Sequence, residues 1–253
     1  MSKNDSRAVP KASNGKTHAI RALLDLRQRI LAGQLPGGTR LYEVAMAEEL
    51  NISRTPLREA MSRLTEEGLL ERAMGGGFVV RSFGYADVAD AIELRGVLEG
   101  MAARLAAERG VSAQNMAPLE QIVVDLDNCF ETDGELIDFE RYSELNEAFH
   151  NSIARLAGSA IVIRELERAK SLPFASPSAF LPDKADIQNF RRSLIIAQEH
   201  HRGLVDAIKA REGSRAEMIA REHARIARKN LDYILMQGGD LASHMPSLAL
   251  VVE

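Results

Sequence analysis

The chain has 253 residues, 27% of them charged and 45% hydrophobic, the proportions of a globular protein with two modest domains. With 5% aromatics and no tryptophan, an aromatic platform for single-stranded nucleic acid is excluded, and no apolar run reaches the roughly 18–20 residues of a membrane span. The net charge of −4 argues against a general nucleic-acid binder, but it is unevenly spread. Residues 1–81 carry 13 Lys+Arg against 9 Asp+Glu, a surplus of +4, and the rest of the chain carries −8. A basic head on an acidic body suits a protein that turns only its head to phosphates. The single cysteine, Cys129, reads as a small core residue, and the polar first residues lack the apolar centre of a signal peptide. Both point to a reducing cytoplasm and no membrane.

Residues 1–15 read as a disordered arm. A helix follows, with Ile20, Leu23, Leu24, Ile30 and Leu31 at helical spacing; Gly33 ends it, and Leu35-Pro36-Gly37-Gly38-Thr39 turns the chain. A short helix over 44–50, a tight connection at Asn51-Ile52-Ser53 and a second helix over about 54–67 come next. In that second helix Ser53 and Thr55 are cap-type residues and Pro56 fits the first turn. Leu57, Ala60, Met61 and Leu64 form one apolar stripe, and Arg54, Thr55, Arg58 and Ser62 lie opposite. Two β-prone runs, Leu69–Arg72 and Phe78–Arg81, flank Gly75-Gly76-Gly77 and read as a hairpin.

This order predicts a winged helix-turn-helix over 16–82. Its second helix fits the major groove, where Arg54 and Arg58 reach guanine or phosphate and Thr55 reaches phosphate. Ser53 opens the same face, Gly76 and Gly77 let the wing backbone approach the minor groove, and Arg40 can add a phosphate contact. Two arginines on a helix are by themselves an ordinary solvated face, and the glycine run lacks the Lys-Ser/Thr of a nucleotide loop. The specificity lies in the ordered set.

Beyond a linker at 83–87 the pattern is helical, over roughly 87–109, 115–132, 135–157, 159–171, 185–211 and 214–236. Pro173, Pro177 and Pro182 break it once. The expectation is a mainly α protein: the winged head, then an all-α antiparallel helix bundle over 88–237, then a loose tail over 238–253. Asn146 and His150, at i and i+4, share a helix face. His201 and His223 flank a break at Glu212-Gly213-Ser214, each about 11 residues from it, so on a helix hairpin they stand level, roughly 16 Å from the turn. Three imidazoles and an oxygen ligand suit Zn, Ni or a similar divalent ion. Each histidine taken singly is an ordinary core or surface residue, and His200 beside His201 leaves the register open. His18 and His244 fall in or near segments read as flexible. Arg95 and Glu99 share a face; Arg95 can receive an effector carboxylate or form an ion pair.

Three runs carry a resemblance. Ile30-Leu31-Ala32-Gly33-Gln34-Leu35-Pro36-Gly37-Gly38-Thr39-Arg40-Leu41, Ala47-Glu48-Glu49-Leu50-Asn51-Ile52-Ser53-Arg54-Thr55-Pro56-Leu57-Arg58-Glu59-Ala60 and Leu64-Thr65-Glu66-Glu67-Gly68-Leu69-Leu70 are similar to the GntR family of bacterial regulators across about residues 17–83. The resemblance implies that Arg54, Thr55 and Arg58 contact DNA and that the wing glycine enters the minor groove; Ala45 departs from relatives that carry an arginine there. Glu93–Glu99, Leu145–His150, Glu199–Ile208 and Arg221-Glu222-His223 resemble the helical ligand-binding domain of the FadR subfamily over about 87–236. In its metal-binding members an aspartate and three histidines hold the ion. His150, His201 and His223 match, alignment of Ala207-Ile208 selects His201 over His200, and Asn146 stands where the aspartate would be. The substitution leaves the site one negative charge short, which a carboxylate effector can supply. The resemblance further implies a homodimer on a near-palindromic operator, a small organic-acid effector, and repression as the commoner outcome. Two rivals are a metal-dependent hydrolase and a ligand-free architectural DNA-binding protein.

Overall fold

The computed structural model describes residues 12–130, 137–179, 187–237, 248 and 250–252. The arm through residue 11, residues 238–247 of the tail, Pro182 and His244 lie outside the described residues. The chain divides into two compact units, Met1–Ser82 and Phe83–Glu253.

The first unit holds three helices, α1 (Ala12–Leu31), α2 (Glu43–Glu49) and α3 (Arg54–Glu66), and three short strands, β1 (Arg40–Leu41), β2 (Leu70–Arg72) and β3 (Phe78–Val80). Helix α1 begins inside the stretch expected to be an arm. Ala19, Ala22, Leu23, Leu26 and Ile30 form its buried stripe and pack with the stripe of α3, Leu57, Ala60, Met61 and Leu64. Each large apolar side chain buried there contributes about 1.5–3 kcal/mol. Arg27 ties α1 to the end of α3, donating to Glu67 from Nε at 3.1 Å and from Nη2 at 2.6 Å. The turn between α2 and α3 places Asn51 at φ 51°, a left-handed conformation that asparagine tolerates, which is how three residues reverse the chain.

The wing is larger than the expected hairpin. β1 pairs antiparallel with β3, Arg40 opposite Val79 and Leu41 opposite Phe78, giving the sheet order β1-β3-β2. Phe78 and Val80 turn inward and Val79 is half-buried, the period-2 alternation of a sheet with one face on a core. A strand of two residues has no periodicity to read, so only the sheet reveals it.

The second unit is all-helical among its named elements: α4 (Tyr85–Arg109), α5 (Ala113–Asp127), α6 (Phe139–Leu156), α7 (Ala160–Lys170), a 3-10 turn at Pro173–Ala175, α8 (Ile187–Lys209) and α9 (Gly213–Gln237). Ser112, Asp138 and Ser159 cap α5, α6 and α7 by accepting the backbone N–H groups of Asn115, Arg141 and Val162. Helix α4 carries a run of small residues. A Cβ on Gly96 would lie 2.8 Å from that of Ala224, so glycine is what lets α9 come this close and bring His223 beside α4. Ala102, Ala103, Ala106 and Ala107 are fully buried, and around them close Leu119 and Leu126 of α5, Phe149 of α6 and Leu204 of α8. Cys129 is 1% exposed in this core.

Two sequence expectations need correction here. The linker expected over 83–87 is shorter: α4 starts at Tyr85, and Phe83 is buried against Phe174 with ring centroids 4.7 Å apart. Nor is the tail loose throughout. Phe83 N–H donates to the Leu250 carbonyl at 2.8 Å, and the Phe83 carbonyl accepts from Val252 at 2.9 Å, with Leu248 and Leu250 buried. Leu248 and Leu250 have a core to join, which the Gly and Pro signals before them concealed.

Candidate metal centre and DNA-reading face

On the first unit, α3 presents Arg54, Thr55 and Arg58 to solvent, with Ser53 exposed just before them. Ser53 occupies the N-cap position but makes no side-chain cap bond, so its hydroxyl is not spent on the helix. The two arginines are not loose. Arg58 donates from Nε to Glu43 Oε1 at 2.9 Å and from Nη2 to Oε2 at 2.6 Å, and Arg54 Nη2 donates to the same Oε2 at 3.3 Å. The Arg58 hydrogen bond, aided by Arg54, lowers the Glu43 carboxyl pKa.

Arg40 is exposed and holds the wing tip: its Nη2 donates to the carbonyls of Met74 at 3.2 Å and Gly76 at 3.0 Å. Gly76 and Gly77 have φ of 97° and 81°, but their surroundings differ. A Cβ on Gly77 would meet the Leu41 carbonyl at 2.8 Å, whereas one on Gly76 would meet nothing within 4 Å. Gly77 is required by the sheet. Gly76 is the open point where another backbone can approach.

In the second unit, α6, α8 and α9 each aim one histidine inward. His150, His201 and His223 are all buried, and one ring nitrogen from each lies within 4.8 Å of the others. His200 is only half-buried, with its ring 5.9 Å from that of His223; His201 is the member of the cluster, its ring 4.6 Å from His223. The hairpin of α8 and α9, turning at Arg211, produces this level placement.

The groups behind the cluster determine which nitrogens face it. The Gln198 amide nitrogen donates to the Val123 carbonyl at 3.1 Å and to Asp127 Oδ1 at 2.5 Å, so its oxygen faces His201 Nδ1, 2.9 Å away. An acceptor there requires Nδ1–H, and the lone pair of His201 then sits on Nε2, a buried atom with no hydrogen-bond partner. Glu99 Oε1 lies 3.1 Å from His150 Nδ1, an ion-pair distance, and Nε2 of His150 lies 3.2 Å from Nε2 of His223. Two nitrogens held at about 2.0–2.1 Å by a tetrahedral ion are about 3.3 Å apart. The donor set fits a divalent transition ion: three buried imidazoles, one lone pair without a partner, and a carboxylate and an amide oxygen behind two of the rings. Burial, then the neighbouring imidazoles, push the His201 and His223 pKa values well below the usual 6.5, so the rings are neutral as ligands must be. Burial alone would raise the Glu99 carboxyl; His150 and Arg95 outweigh it and hold the group at about 2.

Asn146 is buried on the same helix face as His150, and its Nδ2 donates to Ser178 Oγ at 3.2 Å. A cavity of about 30 Å³ adjoins His223 and is lined by Arg95, Tyr142, Asn146, Ser193 and Asn230. Arg95 is 2% exposed, and its Nε and Nη1 have no hydrogen-bond partner; the Tyr142 hydroxyl has none either. Burying a guanidinium with unpaired N–H groups costs several kcal/mol, a cost that an anion in the cavity would offset. The sequence reading missed Glu43, Gln198 and Tyr142. None has a motif, and each is identified only by what it faces across a helix interface.

A winged helix-turn-helix unit joined to a helical unit is the architecture of a transcription regulator that binds DNA through its head. Comparison with known proteins makes this specific. The description "Bacterial regulatory proteins, gntR family" matches residues 20–80, and "FCD domain" matches residues 90–225. The chain is 30% identical to the probable D-xylose utilization operon transcriptional repressor of Paenarthrobacter nicotinovorans, across 77% of this chain and 80% of that protein. It is 26% identical to the Glc operon transcriptional activator of Escherichia coli, across 85% and 89%. Among solved structures, E. coli McbR/YncC superposes with a TM-score of 0.59 at 24% identity, covering 87% of this chain and 98% of that one, which supports the fold. The chain belongs to the GntR family of bacterial regulatory proteins, with an FCD domain as its helical body. These relatives are regulators of transcription, not enzymes, which removes the hydrolase reading. No helix among the described residues is long and apolar enough to cross a membrane.

Proposed function

We propose that this regulator is a cytoplasmic homodimer whose operator binding is controlled by a small carboxylate bound in the helical unit, next to a divalent ion held by His150, His201 and His223. The observation that carries the proposal is the buried Arg95, whose Nε and Nη1 have no hydrogen-bond partner and which lines a cavity together with His223. The ion, Zn or Ni by its nitrogen ligands, would supply a fixed positive charge. Arg95 would take the carboxylate as a charge-assisted pair, and Asn146 and Tyr142 would donate to its remaining oxygens. Asn146 in place of an aspartate makes the site more positive, and so favours an anionic occupant.

Support for coupling lies in the turn after α7. Ser178 accepts from Asn146 at the cavity, and Phe174 of the same turn packs on Phe83, the first residue after the head. An effector that repositions Asn146 would bias this turn, and differential affinity for two poses is what regulation needs. For dimerisation, Leu94, Val97 and Met101 leave an apolar stripe exposed on α4, suited to a two-fold partner. On DNA, Arg54, Thr55, Arg58 and Ser53 would enter the major groove with Gly76 and Gly77 at the minor groove, Arg40 fixing the wing. Repression follows if the effector-free pose is the binding one.

The test is a thermal-shift screen of two- to four-carbon carboxylates on the metal-loaded full chain. At least one acid should raise the melting temperature of the wild type and leave Arg95→Met unmoved. An equal shift in both would take the effector away from Arg95.

A further inference from the structure

The two exposed arginines of α3 are held by a residue from a different helix. Glu43 lies in the first turn of α2, 11 and 15 residues before Arg54 and Arg58, and its side chain is 15% exposed against 60% and 55% for theirs. Arg54 and Arg58 stand one helical turn apart on one face, so their like charges repel. A single carboxylate between them takes three hydrogen bonds and draws both guanidiniums to one side.

The edge that Glu43 uses matters more than the charge. A guanidinium has two bidentate edges: the side-on pair from Nε and Nη2, and the end-on pair from Nη1 and the outer hydrogen of Nη2. Glu43 occupies the side-on edge of Arg58, at 2.9 and 2.6 Å. The end-on edge remains, and it is a fork that matches the O6 and N7 acceptors of guanine. An arginine on a surface helix otherwise loses rotamer entropy when it docks; here much of that ordering precedes binding.

We propose that Glu43 is a specificity-determining positioning residue, which fixes the side-on edge of Arg58 so that its end-on edge is presented to a guanine in the major groove. The inference rests on α3 being the DNA-reading helix. Its consequence runs against simple electrostatics. Glu43 puts a negative charge beside the DNA face, so its removal should strengthen sequence-independent attraction to phosphates. If Glu43 orders Arg58, its removal instead weakens binding to the right sequence.

The experiment uses the full chain. A duplex is selected by the wild type from a random-sequence library, and Kd is measured for it and for a scrambled duplex of the same composition. Wild type, Glu43→Gln, Glu43→Ala and Arg58→Ala are compared, and melting temperatures check that each variant is folded. The isosteric Glu43→Gln keeps the shape of the first turn if Glu43→Ala does not fold. Both Glu43 variants should lose about threefold to tenfold on the selected duplex while the scrambled duplex binds as well or better, so that the specificity ratio falls. Reselection with Glu43→Gln should relax the guanine position that Arg58→Ala also relaxes. A parallel rise on both duplexes, or an unchanged ratio, overturns the positioning role if Arg58→Ala still loses the selected duplex. If Arg58→Ala binds the selected duplex like the wild type, the reading of α3 falls and the role of Glu43 with it.

Discussion

The head and the body of this chain handle charge in opposite ways. On α3 the arginines are more than half exposed and share a carboxylate, so keeping them ionised costs little, and their work is at a surface. In the helical unit Arg95, Glu99 and three histidines are buried among apolar helices, where each charge or lone pair must be matched by a specific partner. The first arrangement suits a partner that is itself a dense line of charge, read by the position of a few donors. The second suits a small ligand that completes an incomplete set. The proposed reader, being exposed, should answer mutation with a loss of affinity; the proposed sensor, being buried, should answer it with loss of occupancy or of stability.

Predictions that sharpen this contrast begin with the reader. Arg58→Ala should weaken binding to a selected operator roughly tenfold to a hundredfold, with the melting temperature unchanged, as fluorescence anisotropy on the full chain would measure. Unchanged affinity would show that the exposed face is not the reading surface. In the wing, Gly77→Ala should cost more stability than Gly76→Ala by about 1–2 kcal/mol in denaturant titration. Both residues sit at positive φ, and only the first drives a Cβ into the Leu41 carbonyl. Equal losses would mean that strain, not contact, dominates at both.

The body should be the acid-sensitive half. His201 and His223 have depressed pKa values when folded, so the unfolded chain takes up protons first as the pH falls below about 6.5. The stability they preserve is complete above that value and declines between pH 6.5 and 5, at up to about 1.4 kcal/mol per pH unit for each histidine. Thermal melts of metal-free protein across this range should show the decline, and replacing His223 with Gln should reduce it. A flat profile would contradict the burial of neutral rings.

What could be read in advance divides along the same line. The head was legible because its chemistry is local: Ser53 to Ala60 is one unbroken run, and the stripe Leu57, Ala60, Met61 and Leu64 orients it. The histidine cluster was legible through helix geometry, since equal distances from the break at Glu212-Gly213-Ser214 place His201 and His223 level. The groups that orient these residues were not. Gln198 acts through an amide direction fixed by Val123 and Asp127, Glu43 through the orientation of α2 beside α3, and Phe83 through backbone hydrogen bonds to Leu250 and Val252 of the tail. Such partners leave no periodicity, and only the packed fold shows what they face.

Elemental analysis of the full chain, purified without chelator and compared with His201→Ala, bears most directly on the proposed metal centre. About one divalent transition ion per wild-type chain and none in the variant is expected, with operator binding by the head intact in both. A wild type that remains empty after incubation with Zn and Ni, or a variant that keeps its ion, would contradict it.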